Sequence, residues 1–219
     1  MRFAELDAVT VDGFGTLVTL IDPVPALDAA LRERGIERSS ATVRAAFEAE
    51  VAYYKPNSVS GSDPARLAAL RLECTGVFLA AARAELDPRS FVDSFMGAIA
   101  FEPITGALVT LTALKARGLE LAVVSNWDIG LAAQLDLIGA GALFTTIATS
   151  AETGAAKPDP AVFRLALERL GVQPGRALHV GDEEGDEGGA RAAGMRFSPA
   201  PLATAFTGWS LPACSTGAG

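Results

Sequence analysis

The sequence predicts an α/β protein in which a parallel sheet is interrupted, after its first strand, by a helical insert. From about residue 102 onward, apolar runs typical of buried strands alternate with helical patterns, an arrangement that gives a parallel sheet. The segment 18–100 has helical patterns but no convincing strand. Acidic or hydroxyl residues follow several of the apolar runs, and the carboxyl edge of an open α/β sheet is where ligands bind.

Composition limits the classes of partner. The chain has 219 residues, half of them hydrophobic, and a formal net charge of -8, which argues against a nucleic-acid partner. Cys74 and Cys214 lie far apart, so no disulfide framework is expected. No apolar run approaches the roughly 18 residues of a membrane span. We therefore expect a cytoplasmic globular protein that acts on a small molecule, without nucleic acid or membrane, as a monomer or homodimer.

The first strand is predicted at 8–11. The run Ala8-Val9-Thr10-Val11 is apolar and rich in β-branched residues, and it is followed by Asp12 and two nearby glycines, Gly13 and Gly15. This pattern predicts a buried strand that ends in a tight turn and presents Asp12 at the sheet edge.

Four helices are predicted in the insert, which would cover that edge. Helix starts are indicated by Ser39 or Ser40 and by Pro64, and Gly35 marks a stop. Apolar residues recur at helical spacing between them, as Val43 and Phe47 do. The predicted helices are 26–33, 40–54, 64–81 and 89–100, with a loop at 55–62.

In the second half, helices and strands alternate. A helix from 102 to 117, stopped by Gly118, precedes an apolar strand at 119–124 that ends in Ser125-Asn126. The following elements are predicted as a helix at 129–138, a strand at 144–150, a helix at 159–170, a strand at 177–180, a helix at 186–193 and a strand at 195–197. The remainder, which has no charge after Arg196, is predicted to be a tail.

Polar residues from four strand ends should meet at one edge of this sheet. They are Asp12, Ser125, Lys157 in its loop, and Asp182 with Asp186. Carboxylate oxygens are the ligands that Mg²⁺ prefers, and lysine supplies a compact cation beside them. The acidic run at 181–187 is not an EF-hand, because its glycine is misplaced and position twelve is Ala193. Nor is it a P-loop, since no Lys-Ser/Thr pair follows its glycines.

These motifs resemble the haloacid dehalogenase superfamily of hydrolases. Four segments carry the resemblance in the family's order, namely Asp12-Gly13-Phe14-Gly15-Thr16-Leu17, Val124-Ser125-Asn126, Lys157-Pro158-Asp159-Pro160 and Gly181-Asp182 through Asp186. The resemblance implies a Rossmann-like three-layer α/β/α core with a parallel sheet, formed by 1–17 and 101–199. It also implies a small all-helical cap at 18–100, which leaves 200–219 as a C-terminal tail.

The resemblance also implies roles. Asp12 would be a nucleophile that forms a covalent aspartyl intermediate, later hydrolysed by water. Ser125 would hydrogen-bond the transferring group, Lys157 would neutralise the site, and Thr16 would support the nucleophile loop. The residues placed against the substrate are Gly13, Phe14, Gly15 and Asn126. The implied ligands of Mg²⁺ are Asp12, Asp182, Asp186 and the backbone carbonyl of Phe14.

Phe14 departs from the family pattern. Most phosphatases that it resembles have an aspartate there, which protonates the leaving oxygen, and phenylalanine cannot donate a proton. We favour a Mg²⁺-dependent phosphatase of a small phosphorylated metabolite, with a good leaving group or a substitute acid such as Glu183 or Glu184.

Two alternatives remain open. A metal-independent 2-haloacid dehalogenase needs no acid, and the family's dehalogenases also have an aromatic residue at this position; Arg38 or Arg44 would then bind halide. A catalytically weak binding or regulatory protein of the same fold is the other alternative.

Several smaller features have structural interpretations. His179, the one histidine, is expected to be a core imidazole with one hydrogen bond, and Asp128 the N-cap of the following helix. Trp127 is expected to pack, and Lys55 to be a solvated loop lysine. Tyr53, Tyr54 and Phe91 are expected in the core of the insert.

Overall fold

The structure, a computed structural model, describes residues 5–207 and has at its centre a five-stranded parallel sheet. In chain order its strands are β1 (Ala8–Val11), β4 (Glu120–Ser125), β5 (Thr146–Thr149), β6 (Ala177–Gly181) and β7 (Arg196–Pro199). Their order across the sheet is β5-β4-β1-β6-β7, and all neighbours run parallel. β1 is therefore central, between the strands that end at Ser125 and at Gly181.

Helices cover both faces of the sheet, so the α/β/α prediction is confirmed. Successive residues of a strand point to opposite faces. Val9 and Val11 accordingly belong to one apolar cluster, while Ala8 belongs to another that includes Phe163 and Ala190. The helices after the insert are α5 (Ala107–Lys115), α6 (Leu131–Leu137), α7 (Ser150–Thr153), α8 (Ala161–Leu170), α9 (Glu184–Ala192) and α10 (Leu202–Ala205).

The insert contains the four predicted helices, which are α1 (Val24–Arg32), α2 (Ser40–Asn57), α3 (Pro64–Ala81) and α4 (Pro88–Ala98). Ser39, Asp63 and Asp87 cap the starts of α2, α3 and α4 through their side chains, which accept backbone N–H bonds. These helices share a third apolar cluster, in which Phe78 packs against Phe91 and Phe95.

The prediction that the segment 18–100 contains no strand is wrong, because a short strand lies at its start and pairs with another just after its end. β2 (Val18–Leu20) pairs antiparallel with β3 (Phe101–Pro103), with Leu20 opposite Phe101. The helix predicted from residue 102 is also wrong there, because α5 begins only at Ala107. Pro103 disfavours a helical conformation for Glu102, and Gly106 is left-handed at φ 82°, so the helix cannot start earlier.

The tail prediction is wrong for its first residues. Leu202, in α10, is buried in the apolar cluster of the sheet, and this helix packs near α5. Cys74 is a buried free thiol, whereas Cys214 lies outside the described residues. Between residues 5 and 207, no helix is both long and apolar enough to cross a membrane.

Candidate active site

Asp12 lies where three strands of the sheet end. Its backbone N–H donates to the carbonyl of Val180 at 2.9 Å, which fixes it beside β6. On the other side, Ser125 at the end of β4 donates from Oγ to Oδ1 of Asp12 at 3.1 Å. The convergence predicted from the strand ends is thus present for these two residues.

Lys157 completes the contacts of Asp12. Its Nζ lies 2.5 Å from Oδ1 of Asp12 and 2.5 Å from Oδ1 of Asp186. The loop that carries it is held by Asn126, whose Oδ1 accepts the Lys157 N–H at 2.7 Å. One ammonium therefore joins two buried carboxylates.

Asp182 forms the third side of an acidic cluster. Carboxylate oxygens of Asp12, Asp182 and Asp186 lie within 4.8 Å of one another, and Asp182 is the exposed member. Thr16 donates from Oγ1 to Oδ1 of Asp182 at 3.0 Å, so its hydroxyl supports this acid. Oxygen-rich clusters of this kind suit a hard divalent cation.

Two glycines allow this close packing. Gly15 has φ +89°, and a Cβ there would lie 2.2 Å from Oδ2 of Asp182. A Cβ at Gly13 would lie 2.8 Å from Oγ of Ser125. Any side chain at either position would displace a polar group of the site.

His179 is also part of the site, which the sequence analysis did not foresee. Its Nε2 lies 3.0 Å from Oδ1 of Asp186 and its Nδ1 lies 2.8 Å from Oγ1 of Thr10, so both ring nitrogens are bonded. Thr10 and His179 are paired residues of β1 and β6. The available signal was a polar residue inside each of two apolar strands.

A cavity of about 360 Å³ opens above these groups, between the sheet edge and the insert. On the side of the sheet edge, Asp12, Ser125 and Lys157 line the cavity, together with Phe14 and Asn126. Residues of α2 and α3 in the insert line it too, including Glu50, Tyr54 and Arg71. The volume is in the range of small-molecule sites.

The model of the haloacid dehalogenase-like hydrolases matches residues 6–194. This chain belongs to that family. A relative from Pectobacterium atrosepticum named phosphoglycolate phosphatase is 34% identical over 197 residues, covering 88% of this chain and 80% of that protein. The mouse haloacid dehalogenase-like hydrolase domain-containing protein 3 is 41% identical over 104 residues, 47% of this chain and 41% of its own length. The match thus spans less than half of the mouse relative.

Among solved structures, an HAD phosphatase from Thermococcus onnurineus resembles this chain with a TM-score of 0.59 and 26% sequence identity. The comparison covers 88% of this chain and 85% of that one. The shared architecture agrees with the Rossmann-like sheet described above.

In this member of the family, the site's pKa values follow from burial and from the neighbouring charges. Burial raises the pKa of Asp12 to about 6, against the effect of Lys157 and with that of Asp186. Burial also disfavours the charged forms of Asp186 and Lys157, so it acts to raise the pKa of Asp186 and to lower that of Lys157. Even so, His179 and Lys157 hold the pKa of Asp186 low, and both carboxylates raise the pKa of Lys157. Burial lowers the pKa of His179, so its ring is neutral at pH 7.

The other candidate residues differ in whether they line the cavity. Gly13 and Gly15 are not among the residues that line the cavity. Arg44 pairs with Asp22 at 2.9 Å on the exposed surface, and Arg38 donates to the carbonyl of Ala82 at 2.7 Å. Neither arginine lines the cavity; Arg71, which the sequence analysis did not single out, does. Of the two candidate acids, Glu183 lines the cavity and Glu184 does not.

Two smaller interpretations are corrected, and the packing expected of Trp127 is confirmed. Gly130, not Asp128, is the N-cap of α6, and Asp128 accepts the Gly130 N–H at 2.6 Å. Lys55 lies within α2 and lines the cavity. Trp127 packs edge-on against Phe101, with centroids 5.0 Å apart, and also lines the cavity.

Proposed function

We propose that this chain is a Mg²⁺-dependent phosphatase that acts on a small phosphorylated metabolite through an aspartyl-phosphate on Asp12. The observation that carries the proposal is the position of Asp12 at the cavity floor, 2.5 Å from Lys157 and clustered with two further acids. The relatives named as phosphatases support the same class.

The nucleophile is oriented by its hydrogen bonds. Ser125 and Lys157 both donate to Oδ1 of Asp12, so we assign the attack on phosphorus to Oδ2. The new bond joins Oδ2 to phosphorus while the bond from phosphorus to the leaving oxygen breaks. Water then attacks phosphorus, the bond to Oδ2 breaks, and inorganic phosphate and the Asp12 carboxylate are released.

Mg²⁺ would be held by Asp12, Asp182, Asp186 and the backbone carbonyl of Phe14. The residues fit a cation, because three carboxylates are clustered and the ammonium of Lys157 pairs with only two of them, Asp12 and Asp186. When bound, Mg²⁺ supplies positive charge for the phosphoryl oxygens. Asp186 also bonds to Lys157, His179 and the Glu183 N–H, so Asp12 and Asp182 have more free capacity.

The site has no acid at position 14 to protonate the leaving oxygen. Phe14 lines the cavity with 44% of its surface exposed and offers no proton. General acids are typically worth about 10²- to 10⁴-fold in rate. We assign the substitute role to Glu183, and otherwise expect preference for substrates with good leaving groups.

We also propose that 18–100 acts as a cap over a core formed by 1–17 and 101–199. The insert has its own apolar cluster, apart from those on the two faces of the sheet. The cavity lies between these parts, so cap residues would choose among substrates.

The test is hydrolysis of p-nitrophenyl phosphate by the purified chain. We expect phosphate release that needs Mg²⁺ and is lost in Asp12→Asn. The matched control is Asp93→Asn, an exposed acid on α4, which should keep full activity. Activity that survives in Asp12→Asn, or that is unchanged by EDTA, would contradict the proposal.

A dehalogenase is the second candidate, favoured by the aromatic Phe14, which lines the cavity where an acid would be needed by a phosphatase. It would release chloride from 2-chloropropionate in EDTA, again through Asp12. The absence of both activities would favour a binding or regulatory protein of the same fold.

A further inference from the structure

We propose that Asp128 is a positioning residue, which couples the insert to the loop that orients the reacting groups. This inference rests on the proposed phosphatase function and adds a residue to that reaction. It begins from a hydrogen bond between the two parts of the molecule, in which the Tyr54 hydroxyl donates to Oδ2 of Asp128 at 2.8 Å. Both residues line the cavity.

Asp128 is shared between the insert and its own loop. Tyr54 belongs to α2 of the insert, whereas the Gly130 N–H, which donates to Oδ1 at 2.6 Å, belongs to the loop between β4 and α6. Burial raises the pKa of Asp128, and the bonds from Tyr54 and Gly130 lower it, so these two donors stabilise the carboxylate. Loss of either donor would leave a buried charged oxygen without its partner, which is costly.

A second contact fixes the same loop to the insert. The Ile129 N–H donates to the carbonyl of Gly61 at 3.1 Å. Gly61 follows the short turn Ser58–Ser60 after α2, and a Cβ there would lie 2.7 Å from Cβ of Asp128. The backbone of the insert therefore packs directly against Asp128, so a displacement of α2 would be transmitted to the loop.

The start of this loop holds the reacting groups. Asn126, two residues before Asp128, accepts the Lys157 N–H through Oδ1 at 2.7 Å, and Nζ of Lys157 contacts Asp12. Ser125, which precedes Asn126, donates to Oδ1 of Asp12 at 3.1 Å. A shift of Asp128 is therefore expected to move the residues that hold the nucleophile and its cation.

The chain offers a matched control in the next residue of α2. The hydroxyl of Tyr53 donates to Glu73 at 2.9 Å, and because Glu73 lies on α3, this bond stays within the insert. Tyr53→Phe and Tyr54→Phe thus remove the same group from one helix. The second change also removes a bond between the insert and the loop.

The first test is steady-state kinetics with p-nitrophenyl phosphate. We expect Tyr54→Phe to lower kcat about 10-fold, as the loss of a hydrogen bond to a charged group allows, with a smaller change in KM. Tyr53→Phe should keep the wild-type kcat. In an Asp128→Ala background, Tyr54→Phe should cause no further loss, because both changes remove the same bond. An equal kcat in the two tyrosine variants would overturn the proposal.

The second test needs no activity. Trp127 lies in the loop, is partly buried and packs against Phe101, so its fluorescence reports the position of the loop. In a Trp209→Phe background, Trp127 is the only tryptophan of the chain. Tyr54→Phe should shift its emission to longer wavelength and increase its quenching by acrylamide, whereas Tyr53→Phe should change neither.

Together the two tests separate this inference from the phosphatase proposal. If the wild-type chain hydrolyses no phosphate ester but Tyr54→Phe exposes Trp127, the phosphatase proposal fails and the link between insert and loop stands. If Trp127 responds equally to the two tyrosine changes, the link is overturned, whatever the activity.

Discussion

Nζ of Lys157 lies 2.5 Å from Oδ1 of Asp12, with the two side chains only 4% and 7% exposed. A second carboxylate, that of Asp186, accepts from the same ammonium. Burial weakens screening by water, so this one cation decides whether two acids can remain ionised at the cavity floor.

Removal of that cation should damage both stability and activity. In Lys157→Met, two buried carboxylates lose their counter-ion, and we expect the free energy of unfolding to fall by about 3–5 kcal/mol. Urea denaturation measures this change, and p-nitrophenyl phosphate turnover should disappear. Arg164→Met changes an exposed arginine of α8 and should cost less than about 1 kcal/mol. Similar losses in the two variants would argue against a central role for Lys157.

His179 should act as a positioning residue for Asp186. His179→Leu removes the hydrogen bond to Asp186, so we expect kcat to fall more than KM changes. Thr10→Val removes only the outer bond to Nδ1, for which we expect a cost of about 1 kcal/mol and a smaller loss of kcat. Steady-state kinetics and urea denaturation of both variants check this order. A Thr10→Val enzyme that is slower than His179→Leu would contradict it.

Gly15→Ala should displace Asp182. The new Cβ would meet Oδ2 of Asp182 at 2.2 Å, so we expect a higher Mg²⁺ concentration for half-maximal activity. Gly35→Ala is the matched control: φ is +74° there and no atom lies within 4 Å of its Cβ. In this variant, backbone strain should lower the free energy of unfolding by about 1 kcal/mol, and the metal requirement should not change. An unchanged metal requirement in Gly15→Ala would remove Asp182 from the proposed ligands.

Asp12 should make stability depend on pH in the metal-free chain. Its pKa is raised from 3.8 to about 6, so the folded state binds the proton more tightly than the unfolded state. Its stabilising contribution is therefore complete below pH 3.8 and is lost as the pH rises through about 6. We expect the stability of the wild-type chain, relative to Asp12→Asn, to decrease from pH 4 to pH 7 in EDTA. A constant difference would show that Asp12 does not titrate in this way.

Much of the site follows from the sequence because sheet topology forces it. Once β1 and its neighbours are parallel, Asp12, Ser125 and the acids after β6 must meet at one edge. His179 was underestimated because Thr10, its partner at Nδ1, is distant in the sequence, and because the sequence does not show that Asp186 of the following helix turns back toward Nε2. Arg71 was missed because helical spacing marks Leu70 and Cys74 as core but does not say which border of that stripe faces the cavity. β2 and β3 were not predicted, because a strand of three residues is too short to give a recognisable pattern in the sequence.

The pairing of Leu20 with Phe101 has a consequence for the order of folding. It holds the two ends of the helical block side by side, although β1 and β4 are separated by more than a hundred residues of chain. Once that block has formed, β1 and β4 are joined by a short effective loop, which reduces the entropic cost of their pairing. We therefore expect the helical block to form early, and the central sheet to close at little extra cost despite the long chain between its middle strands.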